Sequence, residues 1–399
     1  PGQLHRFETR LRPYIIGFGA LFLGAIPLLI FSRTWASPAL ALLGSALIFG
    51  ALRLSERPLL HWGWIYQIAA GTLFMTTLRA SAGGSVLSNG WTGLLAASLV
   101  GAGILVGVWA IARPARTAAS GDGDTPAATL DTRASLALLA GLVFINLAPL
   151  FVLPWRYAAM IWPLTGMATL IWAVRARHTG AILFALGLQV IAGLAHVWSR
   201  TLGDVGEPAF EGATPFLHSG FWGPLLIALA ALICARLLQR AAHANPFDIA
   251  LGWIALGWGG MWWAFAFGDE IIRVVPAANV TAGLVTATLV TAWAWSSLAQ
   301  RRHWPQLGLA TLAYVPLLVL LAGAARLSDT LHPLAAWGAL AWPAALLMHG
   351  LLLRRQRAWV PPSLLDLAHT VGAWLFVVQA ALDVQWRFAQ WGDATSAWP

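Results

Sequence analysis

The chain has 399 residues, 59% of them hydrophobic and only 10% charged, with 24 arginines, no lysine, 15 acidic residues and a formal net charge of +9. Soluble domains carry about a quarter charged residues, so lipid must supply much of this chain's solvent. The positive balance does not indicate nucleic-acid binding, because the arginines stand singly or in twos and threes beside apolar runs and form no continuous basic stripe. The single cysteine, Cys234, excludes an intrachain disulfide framework and any multi-cysteine metal site.

Apolar runs of about 20 residues, the length that crosses a hydrocarbon core about 30 Å thick, recur along the whole sequence. They predict membrane helices at about 14–32, 38–54, 60–79, 91–112, 135–153, 155–174, 180–198, 220–238, 247–267, 278–298, 305–325, 333–353 and 364–386. The expected fold is therefore all-α, a polytopic transmembrane bundle of about 13 helices in antiparallel hairpins. The first run, Tyr14 to Phe31, is too long for a signal-peptide core and has no small-residue cleavage pattern after it. With no initiator Met, the sequence reads as a portion of a longer protein.

The gaps between runs alternate in charge. Seventeen arginines and seven acids fall in one set of gaps, including Arg10, Arg53, Arg133, Arg240, Arg301 and Arg354; seven arginines and eight acids fall in the other. An arginine surplus marks the cytoplasmic side, so the N-terminus of this segment is expected on the cytoplasmic face. Residues 113–134, with Gly121-Asp-Gly-Asp-Thr-Pro126, have a flexible linker's composition and are expected to divide a four-helix unit, 1–112, from a nine-helix unit, 135–399.

No signature of a phosphate-binding glycine loop, a zinc helix or a nucleophile elbow is present, so no cofactor or metal is expected. Candidate chemistry lies instead among ionisable residues at the arginine-poor ends of the later helices. His196 and Arg200, Asp269 and Arg273, and Asp383 and Arg387 are each four apart and can share a helix face. Glu270, Arg326, Asp329 and His332 fall at the same depth, and the loop between 199 and 220 adds Asp204 and His218. Two readings stay open: ion pairs finishing helix ends, or a polar bowl. In the bowl, His196, His332, Asp269, Glu270 or Asp383 would supply acid/base function, and Arg200, Arg273, Arg326 and Arg387 would hold an anion or an acidic partner. Trp253, Trp258, Trp262 and Trp263 crowd one helix more densely than an interfacial belt requires, as packing or as an aromatic wall for a sugar or acyl chain. Asn146 and Gln189, at mid-helix, are expected to bridge helices.

Four motifs occur in order: Trp162-Pro-Leu-Thr-Gly-Met-Ala-Thr-Leu-Ile-Trp172; Gly257-Trp-Gly-Gly-Met-Trp-Trp263 leading to Asp269-Glu-Ile-Ile-Arg273; Ala341-Trp-Pro-Ala-Ala-Leu-Leu-Met-His349; and Leu367-Ala-His-Thr-Val-Gly-Ala-Trp374 leading to Asp383-Val-Gln-Trp386. Together they resemble the C-terminal half of the large bacterial membrane proteins of the domain of unknown function 2339 family (DUF2339), over about residues 135 to 390. The resemblance implies an inner-membrane subunit of a cell-envelope complex with a periplasmic, membrane-anchored partner, associated with surface-polysaccharide acetylation and deacetylation. Its role there would be scaffold or acyl relay. Thr165 stands where that family usually has an acid, and Asp383 where Glu is commoner. A transporter or handler of a lipid-linked sugar or other amphiphile, and a membrane-embedded acyltransferase, are the other readings the residues allow.

Overall fold

The computed structural model describes residues 2–119, 131–201, 214–240, 245–327, 334 and 337–396. Its elements are α1 (Gly2–Ile30), α2 (Arg33–Leu54), α3 (Arg57–Met75), α4 (Gly90–Ala119), α5 (Thr132–Leu147), α6 (Trp155–Ala176), α7 (Thr179–Thr201), α8 (Ser219–Arg240), α9 (Pro246–Val274), α10 (Val280–Arg301), α11 (Pro305–Ala310), α12 (Tyr314–Leu327), α13 (Gly338–Gln356) and α14 (Pro362–Ser396). Short 3-10 turns continue α5 at Ala148–Phe151 and join α11 to α12 at Thr311–Ala313. Among the described residues there is no strand beyond an isolated Ala80–Leu87 bridge.

Each expected span finds a helical counterpart, with α11 and α12 making one interrupted span. Eleven segments are long and apolar enough to cross a membrane. The protein is thus a multi-pass helical membrane protein. The two segments that fall short, α3 and α13, each have 19 residues. His61 and Gln67 in the first, and His349 with Arg354 and Arg355 in the second, lower their mean hydropathy. In contrast to the expected end at 267, α9 continues to Val274, which places Asp269, Glu270 and Arg273 on its last turns.

Two compact units partition the chain: Pro1–Glu211 with Leu229–Leu237, and Gly212–Ala228 with Leu238–Pro399. The division expected at 113–134 falls elsewhere. Most of that linker lies outside the described residues, but the helices on either side of it pack together. A Cβ at Gly101 of α4 would come within 2.8 Å of the Gly141 carbonyl of α5. Glycine-to-glycine approach here buries α5 against α4 and carries the first unit past the linker.

In the first unit, α2 and α3 meet at Gly44 and Gly63, where a Cβ on Gly44 would lie 2.8 Å from the Gly63 carbonyl. Gly103 and Gly107 of α4 fit against Ala41 and Gln67. Ser45 donates to the Gly103 carbonyl and accepts from Gln67 Nε2, so a polar contact crosses three helices at the tightest packing. Asn146 does bridge helices: its backbone carbonyl accepts from Trp162 Nε1 at 2.7 Å and its side-chain oxygen from Thr165 at 2.5 Å. Gln189 does the same for α7 and α6, donating to the Pro163 carbonyl at 3.0 Å.

In the second unit, Val285, Tyr314, Leu318, Trp342 and Leu375 form the core joining α10, α12, α13 and α14. The first half of α8 packs on α9 through Phe221, Leu225 and Ala266. Asn245 caps α9 by accepting from the Asp248 N–H at 2.8 Å, with Pro246 at the first helical position, where its missing N–H costs nothing.

Candidate functional site

The second unit contains an apolar groove of about 510 Å³ between α9, α10 and the α11–α12 segment. Trp253 and Gly268 mark its extent along α9, fifteen residues apart, or about 22 Å of helix axis. That length covers most of a hydrocarbon core about 30 Å thick. Its aromatic wall is built by Trp263, Trp295 and Phe267; Trp263 packs on Phe267 with centroids 4.8 Å apart and on Trp295 at 5.9 Å. Glycine makes the space: a Cβ at Gly257 would meet nothing within 4 Å, and one at Gly260 would reach only the Trp295 ring at 3.6 Å.

The hydroxyls lining the groove decide what can occupy it. Thr291 accepts from Trp263 Nε1 at 3.1 Å, and Thr288 donates to the Leu284 carbonyl at 2.8 Å. Thr311 donates to the Gly308 carbonyl at 2.7 Å and accepts from Gln356, while Tyr314 donates to the Ala345 carbonyl at 2.9 Å. Each hydroxyl already makes one or two hydrogen bonds within the protein, and the rest of the lining is almost wholly apolar. A sugar needs several directed polar partners, whereas a hydrocarbon chain needs apolar surface, so this wall suits a chain.

At the arginine-poor end of α9, immediately beyond Gly268, stands a buried carboxylate. Glu270 is 1% exposed and both its oxygens are occupied. Oε1 accepts from the Phe216 backbone N–H at 2.9 Å and from Arg273 Nη2 at 2.6 Å; Oε2 accepts from His218 Nε2 at 2.8 Å and from Arg273 Nε at 3.3 Å. Phe216 sits in the left-handed backbone region, φ 62°, and its ring packs edge-on against Phe221 at 5.1 Å. Four donors converging on one carboxylate make Glu270 a latch that fixes the segment before α8 to the end of α9. With both oxygens held, it has no free lone pair aimed at a substrate, so its chemistry here is positioning.

The other sequence candidates scatter. Asp269 is half-buried beside the latch, and Trp263 lines the groove, but Trp262 is 4% exposed and packs with Trp258 and Phe265 outside it. Asp383 and Arg387 form the expected i, i+4 ion pair on α14 at 2.9 Å. His196, buried, and Arg200, exposed, lie on α7 and belong to the first unit, whereas Glu270 belongs to the second. Arg326 belongs to the last turn of α12, its side chain outside the described residues, as are Asp204, Asp329 and His332. Among the described residues no three of His, Cys, Asp and Glu gather as a metal site would require. Sequence reasoning missed Thr291, Trp295, Thr311 and Tyr314 as groove residues. The available signal was the Gly257–Gly260 pair beside Trp263, which permits a groove on one helix face without saying which helices close it.

No protein-family model matches the chain, and no curated protein or solved structure matches it either. The resemblance to the DUF2339 family rests on the order and spacing of its motifs alone.

Proposed function

We propose that the protein is an inner-membrane subunit that binds the hydrocarbon chain of an amphiphilic, lipid-linked substrate in the groove between α9, α10 and α12. The observation that carries this reading is an apolar groove of about 510 Å³ whose lining hydroxyls are all internally engaged. Its end at Gly268 adjoins Asp269 and Arg273, polar groups that would suit a headgroup at the arginine-poor end. The cytoplasmic assignment of the arginine-rich ends supports the same orientation. The resemblance to the DUF2339 family would make such an amphiphile part of cell-envelope polysaccharide acetylation or deacetylation, with the protein as scaffold or acyl relay.

The test is lipid retention by the purified full chain. Gly257→Leu and Gly260→Leu fill the groove from backbone positions that have room for a side chain. Native mass spectrometry of wild type, after exchange into detergent, is expected to show a co-purified amphiphile that both variants lose. Equal retention by all three proteins would refute the reading.

A second reading, docking of a periplasmic partner, is favoured by the latch. Glu270 holds a corner at which Phe216 and Leu217 are 45% and 72% exposed, an apolar prominence beside charged residues. Co-purification of a membrane-anchored partner that is lost in Leu217→Asp would support it; unchanged recovery would remove it.

A further inference from the structure

The first unit holds a groove of its own, of about 660 Å³, between α3, α4 and α5. It is independent of the groove in the second unit and differs from it in having a cationic rim. His61 and Arg133 line one end; Thr72 and Phe144 line the other. Both α3 and α5 begin at arginine-rich ends of the sequence, so they run the same way from that face.

Thr72 is eleven residues past His61, and Phe144 eleven past Arg133. At 1.5 Å per residue each wall is about 16 Å long. That is the depth of one leaflet, half of a hydrocarbon core about 30 Å thick. The groove also stops there. A Cβ on Gly71 would come within 3.2 Å of the Phe144 ring, so α3 and α5 touch at the deep end, while Ile104 of α4 forms the floor. Along the lips, Ile68 and Leu136 are 67% and 63% exposed, so the opening is apolar and faces sideways.

The backbone that carries the rim is held by a cap, and the His61 ring by a hydrogen bond. Asp131 caps α5, accepting from the Ala134 N–H at 2.7 Å, and sets Arg133 in the first turn. His61 Nδ1 donates to the Arg57 carbonyl at 2.8 Å, which holds its ring at the start of α3. A wedge one leaflet deep, closed at the bilayer midplane, open to lipid along its side and cationic at the interface, has the dimensions of a phospholipid chain below an anionic headgroup.

We propose that this groove is a site for an anionic phospholipid of the leaflet on the arginine-rich face, one acyl chain lying between α3 and α5 and its phosphate held by Arg133 beside His61. A zwitterionic phospholipid offsets its phosphate with its own ammonium and gains less from the cationic rim, and a free phosphate would leave the apolar walls unused. The length match with one leaflet favours the lipid.

The experiment uses the full chain in nanodiscs of phosphatidylcholine doped with phosphatidylglycerol carrying a photoactivatable acyl chain, read by mass spectrometry of labelled peptides. Labelling is expected at residues 61–72 and 133–144, to fall roughly fivefold in Arg133→Gln, and to be lost in Ala140→Trp, which fills the groove wall. Millimolar inorganic phosphate should not compete. Equal labelling by photoactivatable phosphatidylcholine would overturn the proposal, as would displacement by phosphate alone, or labelling that Arg133→Gln leaves unchanged. If Ala140→Trp does not fold, Thr72→Phe at the exposed deep end and Arg133→Gln still decide.

Discussion

Replacing Glu270 by alanine removes the acceptor shared by the Phe216 N–H, His218 and Arg273 contacts described above. Breaking a buried ion pair by deleting one partner costs about 3–5 kcal/mol. Because the Arg273 side chain keeps 23% exposure and water can recover part of its solvation, the low end applies, about 3 kcal/mol. The loss is local, since the latch ties the segment before α8 to the last turn of α9, so it appears first as opening of that corner. A cost of about 3 kcal/mol corresponds to roughly two decades in the open population. Proteolysis of nanodisc-embedded protein near residues 214–218, under conditions where opening is fast relative to cleavage, should accelerate by about 100-fold in Glu270→Ala. Glu270→Gln, which keeps one acceptor oxygen but loses the charge, should fall between, at about 1–2 kcal/mol. Wild-type protection in Glu270→Ala, or a larger effect from Asp269→Ala, would refute the assignment of Glu270 as the latch.

Gly44→Ala should destabilise the first unit by about 1–3 kcal/mol, because its Cβ would meet the Gly63 carbonyl at 2.8 Å. Gly50→Ala on the same helix, where nothing lies within 4 Å, should be neutral or stabilising by up to about 1 kcal/mol; heating followed by size-exclusion recovery separates the two. Asn146→Leu removes the bridge from α5 to Thr165 and should lower stability by about 1–2 kcal/mol in the same assay. Phe216→Gly relieves the left-handed backbone at φ 62° but loses the ring contact with Phe221. These terms are each about 1 kcal/mol and opposed, so little net change in latch protection is expected.

Much of the fold was legible because membrane burial is written locally. Each span needs only its own run of apolar residues, and the Asn146 and Gln189 bridges follow from the cost of a polar side chain in lipid. Helix ends were less legible. The apolar span was ended at 267 by the polarity of Asp269, Glu270 and Arg273, but mutual pairing and the Phe216 N–H satisfy Glu270 and Arg273 on the continuing helix. The composition of 113–134 suggested a division, yet Gly101 and Gly141 pack α4 on α5 across it. A linker's flexibility constrains the chain between two helices and leaves their packing free.

The sequence by itself determined that this is a polytopic helical membrane protein, where its helices run, and which of their ends are rich in arginine. Hydropathy and charge act over a single span, so one chain segment suffices to read them. Tertiary structure alone decided partner choice. It turned Glu270 from a possible base into a latch with both oxygens occupied, and it kept Trp263 in a groove while turning Trp262 away from it. It also set His61 and Arg133, 72 residues apart, on the rim of one groove. These outcomes depend on which helix faces meet, and that is fixed by close approach at glycines such as Gly44, Gly71 and Gly101, whose partners no local pattern names.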